Sequence, residues 1–286
     1  MSKVFIISAH PEPQSLNGSL KNFAVEALGE LGHEVQVSDL YAMGWKASAD
    51  GNDFVARPAS ERLIYSRASK AAFLGGTQAP DIVAEQEKLL WADAVIFQFP
   101  LWWFSMPAIL KGWVERVWAC GLGYGVGEHN GERWGDRYGE GNLRGRRGML
   151  SVTVGGREPH FGPRGVNGDL EDLLFPINHG VFYYPGMDVL PPFVVYQAAR
   201  LDPAAWPAVT EAYRERLSTL FTAAPIPYRR QNGGHYDGQQ VLKDGLAVGQ
   251  RGTRVHLVQA GEPAQRPLEP AQGSNLESSP LKAVGA

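Results

Sequence analysis

The chain has 286 residues, a net charge of −3, and 44% hydrophobic, 10% aromatic and 20% charged residues. That balance describes a globular protein of one elaborated unit or two domains, and it excludes a wholly disordered or collagen-like chain. A single cysteine, Cys120, rules out a disulfide scaffold, and the near-neutral charge leaves no electrostatic footprint for nucleic acid, so small molecules or proteins are the expected partners.

Residues 3–8 form a continuous apolar run of the length and β-branching of a buried parallel strand. The run is too short for a signal-peptide core, and no later stretch approaches the ~20 apolar residues that cross a bilayer, so a cytoplasmic protein without membrane insertion is expected. A polar loop, residues 9–15, precedes a helical pattern of Leu16, Leu20, Phe23, Ala24, Ala27, Leu28 and Leu31, closed by Gly32. A second strand follows at 34–40. Residues 41–80 carry only weak periodicity and read as a long excursion with a short helix at most. Asp81 suits an N-cap for a helix carrying Ile82, Val83, Gln86, Leu89 and Leu90, ahead of a third strand at 94–99.

Pro107 suits the first turn of a helix running to Trp118, and residues 121–145 form a glycine-dense excursion. A fourth strand is expected at 148–154, a loop from Gly155-Gly156 to Asn167, a short helix at 170–175, a last strand near 188–190, and a helix opened by Asp202-Pro203 and ending near Phe221. Strands alternating with helices predict an α/β fold: a doubly wound parallel five-stranded sheet with helices on both faces and long loops. Residues 1–222 make that domain, 223–258 an extended arm suited to wrapping a partner subunit, and 259–286, with four prolines and no aromatic, a disordered tail.

In such a sheet, ligands bind beyond the carboxyl ends of the strands where strand order reverses, between the first and third loops for the order 2-1-3-4-5. The first loop places His10, Gln14, Ser15 and Asn17 at a helix N-terminus, which favours a phosphate; Ser15 and Asn17 read equally as plain caps, and His10 as an ordinary loop residue. Neither a Walker loop nor a GxGxxG turn is present. The third loop sets Trp102, Trp103 and Phe104 at the crevice mouth, either against a flat-ring cofactor or, for Trp102, as an apolar plug. The fourth, Thr153-Val154-Gly155-Gly156, is a tight turn or a set of backbone donors toward negative charge. Phosphate, ring and donor loops in this order describe flavin binding in a flavodoxin-like fold.

Three blocks, SDLYAM at 38–43, DIVAEQ at 81–86 and VIFQFPLWWFSMPAILKGW at 95–113, closely resemble the NAD(P)H:quinone oxidoreductases of the DT-diaphorase type, with similarity over residues 3–222. The resemblance implies a flavodoxin-like homodimer that binds FAD (FMN being possible), takes hydride from NADH or NADPH, and passes two electrons to quinone-like acceptors. It places His10, Gln14, Ser15, Leu16 and Asn17 on the pyrophosphate and adenosine side. Pro100, Leu101, Trp102, Trp103 and Phe104 fall on the flavin ring and substrate, and Thr153, Val154, Gly155 and Gly156 at the pyrimidine end. Tyr124 falls where an aromatic covers the substrate from the other subunit.

In the animal enzymes a tyrosine and a histidine after the Gly-Gly pair relay charge during hydride transfer. This chain has Phe161 and Asn167 at those places. A phenyl ring donates no proton and an amide holds no positive charge, so His160, one position away, is the available substitute. The extended tail is closer to bacterial members, some of which are regulatory subunits of potassium efflux systems; that is the rival function, with a one-electron flavodoxin carrier as a third. Cys120 is read as a small structural residue, His179, His235 and His256 lack metal-ligand spacing, and Arg144, Arg146 and Arg147 read as a solvated cluster. Glycine is in excess, and fifteen of the 34 lie between Gly121 and Gly168, in the loops expected to contact a flavin.

Overall fold

The computed structural model describes residues 1–130 and 133–268. Its centre is a parallel sheet of β1 (Lys3–Ser8), β2 (Glu34–Asp39), β3 (Ala94–Pro100), β4 (Arg147–Thr153) and β5 (Asp188–Val189), in the expected order 2-1-3-4-5. Registers run Val4 opposite Val35 and Ala94, and Ala94 opposite Arg147. The last position is split: β6 (Phe193–Val195) continues it against Ser151–Thr153, while Leu190, Pro191 and Pro192 interrupt. Proline has no N–H to give to a ladder, which is why the single strand expected here breaks in two.

Helices α1 (Leu16–Glu30) and α6 (Trp206–Ser218) cover one face, where Val4, Ile6, Ala94, Ile96 and Met149 meet Leu20, Ala24, Tyr213 and Leu217. Helices α3 (Pro80–Trp91), α4 (Ala108–Val117) and α5 (Leu170–Ile177) belong to the larger core on the other face, with Phe5, Phe97, Leu89, Trp113 and Leu174 fully buried. Burial of each such side chain contributes about 1.5–3 kcal/mol. The spacing Leu20, Ala24, Ala27, Leu28 makes α1 amphipathic, and Gly32, at φ 81°, ends it in the left-handed conformation expected of it.

Several boundaries differ from the pattern. The excursion at 41–80 contains a full helix, α2 (Tyr65–Gly75). It is held by Asp53, a buried carboxylate that accepts from Arg116 Nε and Lys46 Nζ at 3.0 Å, the Asp50 N–H at 3.0 Å and Tyr65 Oη at 3.2 Å. The helix also buries Ala72 and Phe73, too few apolar positions to give more than the weak period seen in the sequence. Asp81 is not the cap of α3, which starts one residue earlier at Pro80; its carboxylate instead receives Arg116 at 2.7 Å. Proline presets the φ of a first helical residue, so the helix starts there. Pro176 sits inside α5, and the chain continues past Ile177 as a π-helical segment, Asn178–Tyr183. Asp202 caps a 3-10 turn, Pro203–Ala205, and α6 begins only at Trp206.

Beyond residue 222 the chain folds back on itself. Arg229, fully buried, donates to Val255 O at 2.8 Å and to Glu262 at 2.7 Å. The Gln265 side chain accepts from the Arg230 N–H at 2.6 Å, so residues 259–266 of the expected tail are bonded to the arm. Residues 269–286, the rest of that tail, lie outside the described residues.

Candidate functional site

On the face covered by α1, strand positions are apolar at the amino ends and polar at the carboxyl ends: Val4 and Ile6 give way to Ser8, Ala94 and Ile96 to Gln98, Met149 to Ser151 and Thr153. The polar layer lies beneath three loops. In the first, Ser15 caps α1, its Oγ accepting from the Gly18 N–H at 3.2 Å. The N–H groups of Leu16 and Asn17 have no acceptor among the described residues, as expected of a first helical turn, and no acidic residue lies in that turn. Gly18 is obligatory in this packing, because a Cβ would stand 2.0 Å from Pro13 O. His10 Nδ1 accepts from the Glu12 N–H at 3.1 Å, its ring lies 5.8 Å from that of Trp102, and Gln14 is exposed. The first and third loops therefore touch.

The third loop leaves β3 at Pro100, and the Leu101 N–H donates to Thr153 O at 2.8 Å. Trp102 and Ser105 exchange N–H···O bonds at 3.0 Å in both directions around Trp103 and Phe104, whose φ values are 48° and 62°. Two consecutive positive φ values define a mirror-image turn that glycine and asparagine favour; bulky aromatics there are strained by order of 1–3 kcal/mol each. Trp103 is 95% exposed, with Phe104 and Trp102 also exposed. The turn thus holds aromatic surface away from the core at an internal cost, an arrangement with a use only if something binds against it.

The fourth loop begins at Thr153. The Val154 N–H donates to Val195 O and Gly156 O accepts from the Gln197 N–H, while the N–H groups of Gly155 and Gly156 have no acceptor among the described residues. A Cβ on Gly155 would meet nothing within 4 Å, so space for a ligand opens there. A Cβ on Gly156 would stand 2.8 Å from the Phe161 ring, which is 92% buried in the core and packs near Tyr196. Phe161 is placed under the glycine turn as support. His160 is exposed, and its carbonyl accepts from the Asn167 N–H at 3.0 Å, which fixes the loop.

Asn17 and Thr153, read from the sequence as cofactor contacts, spend side-chain atoms on each other: Asn17 Nδ2 donates to Thr153 Oγ1 at 2.8 Å. Gln98, which the sequence reading missed, donates to Asn17 Oδ1 at 2.9 Å. The switch from apolar to polar at the end of each alternating strand is the signal that marks it. Tyr124 is not brought to these loops within one chain. Its partners are Ser69 of α2, Cys120 and Gly121, and burial pushes its phenol up, as it does the Cys120 thiol. No metal-holding cluster occurs among the described residues, and no described helix is long and apolar enough to cross a membrane.

The geometry suits a phosphate on the first loop, a flat ring against the third and a developing negative charge at the fourth. Comparison with known proteins bears on the fold and the family. A family model described as a flavodoxin-like fold matches residues 2–220. A ribosyldihydronicotinamide dehydrogenase-like protein of Penicillium crustosum is 54% identical over 234 residues, 82% of this chain and 86% of that one. The NAD(P)H dehydrogenase [quinone] 1 of Rattus norvegicus is 40% identical over 225 residues, 78% and 79% of the two chains. A solved structure from Klebsiella pneumoniae, described as a candidate quinone reductase, superposes with a TM-score of 0.88 at 57% identity, covering 90% of this chain and all of the other. The chain belongs to the flavodoxin-like family and is a homologue of its NAD(P)H dehydrogenase (quinone) members.

Proposed function

We propose that the protein is a flavin-dependent NAD(P)H dehydrogenase that delivers two electrons, as hydride, to quinones or related acceptors. The carrying observation is the strained, exposed Trp102–Phe104 turn, whose Trp102 ring lies 5.8 Å from that of His10 in the first loop, together with the N–H groups of Gly155 and Gly156 that have no acceptor among the described residues. The names of its relatives support the same reading. FAD is the proposed form, because long loops flank the phosphate site and offer contacts for an adenosine half. A flavin held by these three loops would supply the hydride-transfer chemistry between a nicotinamide and an acceptor.

The chain's own groups do the rest. The Leu16 and Asn17 N–H groups and the α1 dipole bind phosphate. Trp102, Trp103 and Phe104 flank the ring, exclude water and orient the acceptor for direct transfer. The Gly155 and Gly156 N–H groups donate to the negative charge that hydride uptake brings. Phe161 holds these amides in place from below and offers no proton, and His160 is the nearest group able to carry one. Tyr124 serves a second copy of the chain in a cytoplasmic homodimer.

Mass spectrometry of the flavin released from purified protein, followed by steady-state NADPH oxidation with a benzoquinone, tests the reading. Released FAD and turnover support it. A flavin-loaded sample that oxidises neither NADPH nor NADH sinks it.

A further inference from the structure

We infer that Gln98 is a positioning residue for this site: through Asn17 and Thr153 it forms a buried strut that sets the first and fourth loops in register. The inference rests on the flavin reading above. All three side chains are at least 97% buried, and they come from three different elements, β3, α1 and β4. Gln98 Nε2 donates to Asn17 Oδ1 at 2.9 Å, and Asn17 Nδ2 donates to Thr153 Oγ1 at 2.8 Å. Thr153 O in turn accepts from the Leu101 N–H, so the strut ends on the third loop as well. Through its side chain and its carbonyl, Thr153 thus ties the α1 turn offering the Leu16 and Asn17 amides to the residues that lead into the Gly155-Gly156 turn and the aromatic turn.

Stability alone does not explain the glutamine. Its Oε1 is buried without a partner among the described residues, and the equivalent upstream positions of the same face are Ala94 and Ile96. An unsatisfied buried carbonyl is costly, and apolar side chains of similar shape do as well or better in a core. What an apolar side chain cannot do is hold the Asn17 amide in one orientation. Gln98 is fully buried, so it touches no ligand, and any effect on binding passes through Asn17.

The test is Gln98→Met, of similar volume, in the full chain, with Thr153→Val and Thr153→Ser beside it. Apo-protein is titrated with FAD by fluorescence, its thermal midpoint is recorded, and amide hydrogen exchange is followed in residues 9–18 and 153–157. We expect Gln98→Met and Thr153→Val to bind FAD about tenfold more weakly, because the competent loop arrangement is only fractionally populated. Thr153→Ser, which keeps the hydroxyl, retains wild-type affinity. The Gln98→Met apo-protein melts where wild type does, and exchange rises in both loops together. Unchanged exchange overturns the strut, as does a Gln98→Met variant whose affinity falls only in step with its thermal midpoint. If wild-type apo-protein takes up no flavin while Gln98→Met still loosens both loops, the strut stands and the functional reading alone fails.

Discussion

Replacing Gly18 by alanine should invert the sign that helix propensity predicts. Gly18 lies inside α1, where glycine-to-alanine normally stabilises by up to about 1 kcal/mol. Here the new Cβ falls 2.0 Å from Pro13 O and 2.7 Å from Pro13 C. Both are backbone atoms, so relief requires the first loop to move by more than 1 Å, roughly the shortfall from van der Waals contact. Overpacking of this kind costs about 1–3 kcal/mol, and a clash with rigid backbone belongs at the upper end. The net expectation is about 2 kcal/mol of destabilisation, a fall in thermal midpoint of roughly 3–4 °C for a chain of this size.

Gly29 is the internal control. It lies in the same helix with nothing within 4 Å of its missing Cβ, so Gly29→Ala should raise the midpoint. Calorimetry of both variants, with FAD titration of each apo-protein, makes the comparison. Displacement of the loop carrying Ser15 and the Leu16 amide should weaken FAD binding in Gly18→Ala only. A Gly18→Ala protein as stable as Gly29→Ala, with unaltered FAD affinity, refutes the packing argument.

Three further outcomes follow from the same geometry. Trp103→Gly removes a bulky side chain from a left-handed position with almost no packing to lose, so the apo-protein should gain about 1 kcal/mol in urea denaturation while quinone reduction falls; loss of both would show that the turn is unstrained. Asp53→Ala leaves Arg116 buried beside a missing partner and should cost about 3–5 kcal/mol, against which a loss below 1 kcal/mol in the same assay would count decisively. His179, stacked between Tyr138 and Phe175, has its pKa pushed down to about 3, first by burial and then by nearby His256. A base with a depressed folded pKa contributes stability that is intact above its unfolded value near 6.5 and is lost as pH falls from there toward 3. Thermal midpoints should therefore decline below pH 6.5, and His179→Phe, which stacks without titrating, should flatten that decline; identical slopes would discredit the assignment. The Glu262 carboxyl, held down to about 2 chiefly by its hydrogen bond from Arg229, adds to the loss at lower pH.

The local pattern was sufficient for the sheet and its covering helices. Short β-branched runs at 3–8 and 94–99, helices with apolar residues three and four apart, and Ser15 and Gly32 at the ends of the first helix carry their structure in nearest-neighbour preferences, and the structure reproduces them. The three loops at the carboxyl ends were legible too, because chain order in a parallel sheet dictates which loops converge. Residues 41–80 were less so, since Asp53 is anchored by Lys46 and Arg116, polar contacts that span up to 63 positions, and α2 joins that cluster through Tyr65.

Which polar atoms of the candidate site residues are already committed to one another was decided only in three dimensions. From the sequence, Asn17 and Thr153 looked like cofactor contacts and Phe161 like a failed proton donor. Folding places the first two against each other, buries the third beneath a glycine turn and makes Gln98 their keystone. The physical reason is that composition and spacing state which donors and acceptors a loop owns, whereas hydrogen bonding is exclusive and short-ranged. Which of those groups remain free for a ligand depends on what the neighbouring strands have already claimed.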